Sequence, residues 1–148
     1  MSPAPKDRPD VQVFTEIGII DQLLTNALER LLPPGLSHAQ FSLLVHFARR
    51  GGQESPAQLA KAFQVTKGAM TNTLQKLAAQ GLVRIEEDAQ DGRRKLLSIT
   101  SAGLAAHDDA VMSMRPMMES LRSAFTNAEF AAALPFLTAL RKWLDENR

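Results

Sequence analysis

The apolar residues of this chain recur mostly three and four positions apart, which is the spacing of one face of an α-helix. Six segments show this spacing: about 11–32, 37–50, 56–63, 67–80, 100–121 and 127–146. Residues 82–85 and 96–99 differ, because they are short, apolar and rich in β-branched side chains, as in the two strands of a hairpin. The pattern therefore predicts a mostly α fold with a small β-hairpin.

Residues that cap helices define most of the boundaries. Three segments begin with a capping box, in which Ser or Thr is followed three residues later by Gln or Glu: Ser37 with Gln40, Ser55 with Gln58, and Thr126 with Glu129. Thr66 can cap the fourth helix and Gly81 can end it. Proline lacks the N–H that a helix interior needs, so we expect Pro116 to kink a single fifth helix and Pro135 to bend or weaken the sixth.

Composition narrows the class of protein. The chain has 148 residues, enough for one domain with an appended pairing element, and it contains no cysteine. Disulfides, thiolate metal sites and thiol redox sensing are therefore excluded. No apolar run reaches the roughly 18 residues that cross a membrane. The start, MSPAPKDRPD, is polar and Pro-rich, so we expect residues 1–10 to be a disordered leader and the protein to be cytoplasmic.

The net charge of +1 conceals an uneven distribution of charge along the chain. Residues 49–95 hold nine bases and five acids, a net charge of +4, whereas the segments before and after carry −2 and −1. Between Arg49 and Arg84 the only acidic residue of the sequence is Glu54. A basic middle between acidic ends indicates a module that faces a polyanion.

Residues 55–77 fit a helix-turn-helix, a motif that places its second, recognition helix in the major groove of DNA. The predicted core of this motif consists of Leu59, Ala60, Phe63, Val65, Met70, Thr73, Leu74 and Leu77. The outward face of the recognition helix is polar and basic, and its candidates for DNA contact are Thr66, Lys67, Gly68, Thr71, Asn72, Gln75 and Lys76. Asn and Gln can bond an adenine edge bidentately, Thr can contact a thymine methyl, and Lys can hold phosphates.

A solvated helix surface is the alternative interpretation of this face, since a helix-turn-helix pattern is only moderately specific. Solvated helices usually mix Glu with Lys, however. Residues 66–81 contain neither Asp nor Glu. The composition of the face therefore favours a polyanion as its partner.

The hairpin adds a second basic element, and its loop lies within EEDAQDGRRK, residues 86–95. A two-stranded wing beside a helix-turn-helix can place Arg93 and Arg94, with Lys95, against the minor groove and backbone of DNA. Asp88 and Asp91 are candidates for shaping the loop, by holding one Arg while the other reaches out. The alternative is a merely soluble loop with chance ion pairs, and the loop taken by itself slightly favours it.

The segment GLVRIEEDAQDGRRKLLSITSAG, residues 81–103, resembles the wing of the MarR family of transcriptional regulators. The shared features are a Gly-Leu-Val strand start, an Asp-x-x-Asp-x-Arg-Arg tip and an apolar strand ending in Thr-x-x-Gly. The resemblance covers about residues 11–146 and implies a winged-helix domain, a homodimer formed by the terminal helices, and operator DNA as partner. Family members usually repress, and many release DNA when a small-molecule effector binds.

Three positions depart from the family pattern. Ala89 stands where Pro commonly follows the first wing Asp, and Gln64 stands where the turn often has Gly. Asn72 occupies a position of the recognition helix that often carries Arg, so the preferred bases can differ.

The terminal helices are the candidates for dimerisation, and the predicted interface residues are Leu24, Leu28, Leu134, Leu137, Trp143 and Leu144. A monomeric helical core is the alternative. A small winged helix, however, cannot bury one long first helix and two long last ones. The predicted organisation is therefore a leader (1–10), a dimerisation helix (11–35), a winged helix-turn-helix (36–100) and dimerisation helices (101–148).

The sequence shows few signs of a catalytic or metal-binding site. It offers no convincing nucleophile–base set, paired carboxylates or phosphate-cradling loop, so we predict that the protein is not an enzyme and needs no cofactor. His107-Asp108-Asp109 resembles a metal site only in composition, because adjacent helical residues point in different directions, and we predict no metal and no membrane partner. The predicted function is a dimeric DNA-binding regulator; the alternative is a winged-helix protein-interaction module without DNA binding.

Overall fold

The computed structural model describes residues 8–148 and divides the chain into two compact units, one ending at Ser113 and one running from Met114 to Arg148. The described part of the first unit has the order α1 Pro9–Leu31, α2 His38–Arg50, α3 Pro56–Phe63, α4 Lys67–Ala79, β1 Val83–Glu87, β2 Lys95–Ile99 and α5 Ser101–Ser113. The second unit contains α6 Arg115–Ala124 and α7 Asn127–Glu146. The predicted mostly α fold with a two-stranded wing is confirmed.

The predicted disordered leader falls largely on residues 1–7, which lie outside the described residues. Pro9 and Asp10 already belong to α1, which has proline in its first turn, where a missing N–H does no harm. The helix ends at Leu31, and Leu32 has an extended backbone because the next residue is a proline.

All three predicted capping boxes are present. The Ser37 hydroxyl accepts a hydrogen bond from the Gln40 backbone N–H at 3.2 Å, and the Gln40 side chain accepts one from the Ser37 N–H at 2.8 Å. The boxes that open α3 and α7 have the same paired geometry. Thr66 caps α4 by accepting from the Ala69 N–H at 3.1 Å. Local sequence therefore determines where these four helices begin.

The core of the first unit lies where α2, α3 and α4 meet the base of the hairpin. Its most deeply buried side chains are Leu43, Leu44, Phe47, Leu59, Leu77 and Leu97. Most of the predicted helix-turn-helix core is buried, namely Leu59, Ala60, Met70, Leu74 and Leu77, while Phe63 and Thr73 are half-buried. The predicted core position of Val65 is wrong, because this side chain is 44% exposed. Its backbone N–H closes the turn by donating to the Ala60 carbonyl at 3.1 Å, which leaves the side chain at the surface.

The hairpin is antiparallel, with Val83 opposite Ile99, and only one residue of each strand is fully buried: Val83 in β1 and Leu97 in β2. A third stretch of backbone extends this small sheet. The Glu54 N–H donates to the Leu97 carbonyl at 3.0 Å, and the Leu97 N–H donates to the Glu54 carbonyl at 2.8 Å. This one bridge attaches the segment before α3 to the wing.

The start of α5 approaches the hairpin so closely that only glycine fits at position 103. A Cβ atom on Gly103 would lie 2.0 Å from the Leu82 carbonyl oxygen and 2.6 Å from the Ile99 side chain. Thr100 fastens the contact, because its hydroxyl donates to the Gly81 carbonyl at 2.6 Å and accepts from the Gly103 N–H at 3.0 Å. The Thr-x-x-Gly stretch therefore joins the wing to α5.

The prediction of one kinked fifth helix is wrong, since the chain forms two separate helices there. Helix α5 ends at Ser113 and α6 begins at Arg115, with Pro116 in the first turn of α6. Proline has no N–H for the carbonyl four residues earlier and its ring collides with that carbonyl, whereas a first turn tolerates both defects. Pro135, by contrast, lies inside α7, which continues through it.

The second unit exposes most of its apolar side chains. Neither α6 nor α7 has a buried residue, and six large side chains of α7 are 42–61% exposed: Phe130, Leu134, Phe136, Leu137, Trp143 and Leu144. Helix α1 of the first unit likewise has no buried residue. Among residues 8–148, no helix combines the length and the apolar character needed to cross a bilayer.

The turn between α3 and α4 contains a conformationally unfavourable residue. Gln64 has φ 53° and ψ 45°, in the left-handed region, and it is the only non-glycine residue with positive φ among residues 8–148. This conformation costs an L-residue about 1–2 kcal/mol. Glycine adopts it without that cost, but loses more chain entropy on folding, by about 0.5–1 kcal/mol.

We therefore expect Gln64→Gly to raise the free energy of unfolding by about 0.5–1 kcal/mol, measured by urea denaturation. Gln64→Ala is the matched control, because it removes the same side chain and keeps the unfavourable backbone, and it should be no more stable than the wild type. A Gln64→Gly protein less stable than the wild type would contradict the argument.

Candidate nucleic-acid interface

Helix α4 presents a polar face to solvent. All predicted DNA-contacting positions at its start and along it are exposed: Thr66, Lys67, Gly68, Thr71, Asn72, Gln75 and Lys76. The opposite face carries the buried Met70, Leu74 and Leu77, which hold the helix in the core. Since helical periodicity fixes the two faces relative to each other, core packing determines which side chains can reach a partner.

The first turn of α4 is suited to an anion. The Thr66 hydroxyl accepts from the Ala69 N–H and keeps its own hydrogen available to donate. No acidic residue lies in this turn, and Lys67 directly follows the cap. The unpaired N–H groups and the positive end of the helix dipole favour negative charge here, as in many phosphate contacts.

Asp88 and Asp91 shape the wing loop through its backbone. The Asp88 carboxylate accepts from the Gln90 N–H at 3.0 Å, and the Asp91 carboxylate accepts from the Arg93 N–H at 3.1 Å. The Asp91 carbonyl also accepts from the Arg94 N–H at 2.9 Å. Aspartate favours turns because its short side chain can bond the backbone two residues ahead in this way.

The expected ion pair between a loop aspartate and a loop arginine is not formed. Within residues 8–148, no ion pair engages Arg93, Arg94 or Lys95, and all three are exposed. The carboxylates bond neighbouring amides, which are already held close by the chain, so they need not order a long arginine side chain. Both arginines are therefore available to a partner, and not only one.

An open groove of about 610 Å³ brings the recognition helix and the wing together. It is lined by Lys67 and Thr71 of α4 and by Asp91, Arg93, Arg94 and Lys95 of the wing. The start of α3, residues 55–58, also lines it; the sequence marks these residues only as a helix cap and gives no sign of this position. Lys76 lies apart, in a second groove of about 630 Å³ beside Gly35 and Ser37.

Two acidic side chains near this surface, Glu54 and Glu86, are bonded to other groups. Glu54 is 15% exposed, and its Oε1 lies 2.7 Å from His46 Nε2. The Glu86 carboxylate lies 3.7 Å from Arg84 and accepts from the Gln53 side chain at 3.3 Å. The groove between α4 and the wing therefore has one carboxylate, that of Asp91, among four cationic side chains.

His107 and Asp108 do meet, against the expectation that adjacent helical side chains point apart: His107 Nδ1 lies 3.0 Å from Asp108 Oδ1. The imidazole also stacks on Phe41, with ring centroids 6.2 Å apart. Across residues 8–148, no group of three or more His, Asp or Glu side chains is arranged to hold a metal ion.

Comparison with known proteins identifies similar chains. A family model described as the MarR family matches residues 35–94, from the end of the α1–α2 connection to the wing tip. The transcriptional repressor NicR of Pseudomonas putida is 29% identical to this chain over 154 aligned positions, which cover 99% of this chain and 93% of NicR.

Two solved structures show the same fold. The complex of a mutant MarR of E. coli with operator DNA gives a TM-score of 0.74 at 23% identity, covering 94% of this chain and 99% of that one. BpsR of Bordetella bronchiseptica gives a TM-score of 0.72 at 22% identity, covering 88% of this chain and 98% of that one. The DNA binding of BpsR is described as regulated by 6-hydroxynicotinic acid.

The family match and the geometry coincide, since the matched residues contain both the recognition helix and the basic wing. The resemblance of this chain to the MarR family is therefore confirmed: residues 35–94 match the family's model, and almost the whole chain is similar to the transcriptional repressor NicR.

Proposed function

We propose that this protein is a repressor that binds a pseudo-palindromic operator as a homodimer. The observation that carries the proposal is the groove in which Lys67 and Thr71 of α4 meet Arg93 and Arg94 of the wing. It places groups suited to the major groove beside groups suited to the minor groove. The likeness to NicR, a repressor, supports repression as the outcome of binding.

In the proposed complex, α4 enters the major groove and the exposed amides of Asn72 and Gln75 bond base edges. Lys67 and the first turn of α4 hold phosphates, which fix the register without reading sequence. Arg94, free of ion pairs at the wing, enters the narrow and strongly negative minor groove. Each subunit therefore reads one half-site with two elements held on one core.

The homodimer is supported by the apolar surface of the terminal helices. Helix α7 exposes Leu134, Leu137, Trp143 and Leu144, and α1 exposes Leu24, with Leu28 half-buried. Exposed apolar side chains grouped on a helix in this way often mark an interface. A second copy covers it in our proposal, and twofold symmetry places the two recognition helices about 34 Å apart, one turn of DNA.

A small-molecule effector that releases the DNA is a further part of the proposal. It is supported by BpsR, which shares the fold and whose DNA binding is described as regulated by 6-hydroxynicotinic acid. An effector acts only if it binds one arrangement of the half-sites more tightly than the other. 6-Hydroxynicotinic acid is therefore the first compound to add to the operator-bound protein, with nicotinic acid beside it. If the operator affinity is unchanged, 6-hydroxynicotinic acid is not an effector of this protein.

Binding to DNA from around the protein's own gene tests the proposal directly. Gel shifts over a range of salt concentrations are expected to show a site-specific complex that weakens as salt rises, because phosphate contacts release counterions. If the protein dimerises and yet binds no duplex at any salt concentration, the protein-interaction module becomes the better description.

Arg94→Ala is expected to weaken operator binding by about tenfold or more, because it removes the minor-groove contact of each subunit. Arg122→Ala is the matched control: it removes one exposed arginine from α6, outside the interface, and should leave the affinity unchanged. Equal affinities for both variants and the wild type would exclude the wing from DNA binding.

Asn72→Ala and Gln75→Ala are expected to relax base preference, each by about 1–3 kcal/mol of discrimination at one position of the half-site. Affinities for a panel of single-base operator variants measure this. A uniform loss across all sequences would show that these side chains contact phosphates instead of bases.

Leu137→Glu is expected to convert the dimer to a monomer, because it places a charge in the proposed interface. Val65→Glu is the matched control, since Val65 has nearly the same exposure, 44% against 42%, and lies in the helix-turn-helix. Sedimentation equilibrium should give the 16.2 kDa chain mass for the first variant and twice that for the second. A dimeric Leu137→Glu protein would place the interface elsewhere.

A further inference from the structure

A buried histidine–glutamate pair lies beside the start of α3, which lines the groove. His46 of α2 is 7% exposed and Glu54 is 15% exposed. His46 Nε2 lies 2.7 Å from Glu54 Oε1, and since a carboxylate offers only acceptors, the imidazole nitrogen donates. The Phe63 ring is inclined by 63° to the imidazole, with the ring centroids 5.2 Å apart, and confines His46 from the side of α3.

The backbone of Glu54 forms the one isolated β-bridge, within residues 8–148, between a wing strand and another segment. Its N–H and C=O both bond Leu97, the buried residue of β2, and the next residue, Ser55, is the buried cap of α3. Glu54 thus connects α2 by its side chain, β2 by its backbone and α3 through its neighbour. Arg50, at 3.7 Å and largely exposed, adds a second and weaker contact to the carboxylate.

The base of the hairpin is held by the buried Val83 and Leu97 and by Thr100 against α5, but the outer part of the wing has few contacts of this kind. Beyond Val83, every residue of β1 is exposed, and a two-stranded hairpin is at best marginally stable by itself in water. Arg94 precedes Leu97 by only three residues, so a displacement of β2 at Leu97 is transmitted directly to the loop that carries the arginines.

We infer that His46 is a positioning residue for DNA binding: by holding Glu54, it keeps β2 and therefore Arg93 and Arg94 in the orientation that reaches the minor groove. This inference rests on the proposed function for its DNA readout. It also assigns a role to Glu54, the single acid of the basic segment between Arg49 and Arg84. Glu54 therefore helps to hold the wing in place, and its carboxylate is bonded to His46 and not to the DNA-contacting arginines.

A double-mutant cycle on operator affinity tests the inference. If His46→Leu releases the wing, Arg94→Ala should cost about tenfold in the wild-type background and under about threefold in the His46→Leu background, because the arginine no longer reaches DNA. His46→Gln, which can still donate an amide hydrogen to Glu54, should restore most of the tenfold effect. A merely destabilised protein would show the same Arg94→Ala cost in both backgrounds.

His107→Leu is the matched control. His107 is also a partly buried histidine bonded to a carboxylate, but its partner, Asp108, is exposed and belongs to α5 itself. The full tenfold effect of Arg94→Ala should persist in this background.

Hydrogen exchange gives a readout that needs no DNA. The Leu97 and Glu54 amides should exchange about tenfold faster in His46→Leu than in the wild type, while the amides of α4 stay protected. Glu54→Gln is the second variant, to be used if His46→Leu does not fold, because it keeps the shape of the side chain and loses only its charge. It turns a charge-assisted hydrogen bond into a neutral one, so we expect the Leu97 amide to exchange about threefold faster than in the wild type.

The outcomes separate the two proposals. If the wild type binds no DNA but Leu97 exchange responds to His46, the proposed function fails and the connection between His46 and the wing stands. If DNA binds and both the Arg94→Ala cost and Leu97 exchange are unchanged in the variants, the inference is overturned while the proposed function stands.

Discussion

One small hydrophobic core holds both elements of the interface in place. Leu44 of α2, Leu59 of α3, Leu77 of α4 and Leu97 of β2 meet there, each at most 1% exposed. Burying a leucine completely stabilises a fold by about 1.5–3 kcal/mol. Helix α4 depends on this contribution, because a helix of 13 residues is marginal in water by itself and this one contains glycine, asparagine and three threonines counting its cap. Its outer face can therefore carry residues chosen for binding and not for helix stability.

Much of this arrangement can be predicted from the sequence, because the signals that specify it are local. Capping boxes place three helix starts to the residue, and the apolar spacing of α4 separates its buried face from its polar one. The wing loop is also local, since Asp88 and Asp91 bond amides two residues away. For the same reason the exposed positions of α4 and of the wing loop follow from the order of residues alone.

What the sequence does not reveal depends on contacts between distant residues or on competition between local rules. The bridge from Glu54 to Leu97 joins positions 43 residues apart, and a single residue has no periodicity to detect. Val65 is apolar, yet closing the turn by its backbone leaves its side chain exposed. At Pro116 a kinked helix and a restarted helix satisfy the same local rule, and only the folded backbone distinguishes them.

A count of charges along the sequence also misses contacts that form only in the folded chain. The segment 49–95 holds five acids, but two of them cap turns of the wing loop, and Glu54 is enclosed with His46. A carboxylate bonded in this way is turned toward the protein's own amides or imidazole. The charge that a partner meets at the groove is therefore that of the four cationic side chains and the one carboxylate lining it, and not a net charge of +4 spread evenly over the segment.

The end of the recognition helix is fastened on two sides. The Gln80 side chain donates to the Gly35 carbonyl at 2.7 Å, in the connection between α1 and α2, and accepts from the buried Gln40 at 3.2 Å. One residue later, the Gly81 carbonyl accepts from Thr100 at the start of α5. The recognition helix is thus bonded to the exit of α1 and to the entry of α5. Because the shared core resists internal deformation, we expect a shift of either helix to move α4 and the base of the wing together. In the proposed dimer, a signal received by these helices would therefore change the spacing of the two recognition helices and leave the shape of each DNA-binding unit intact.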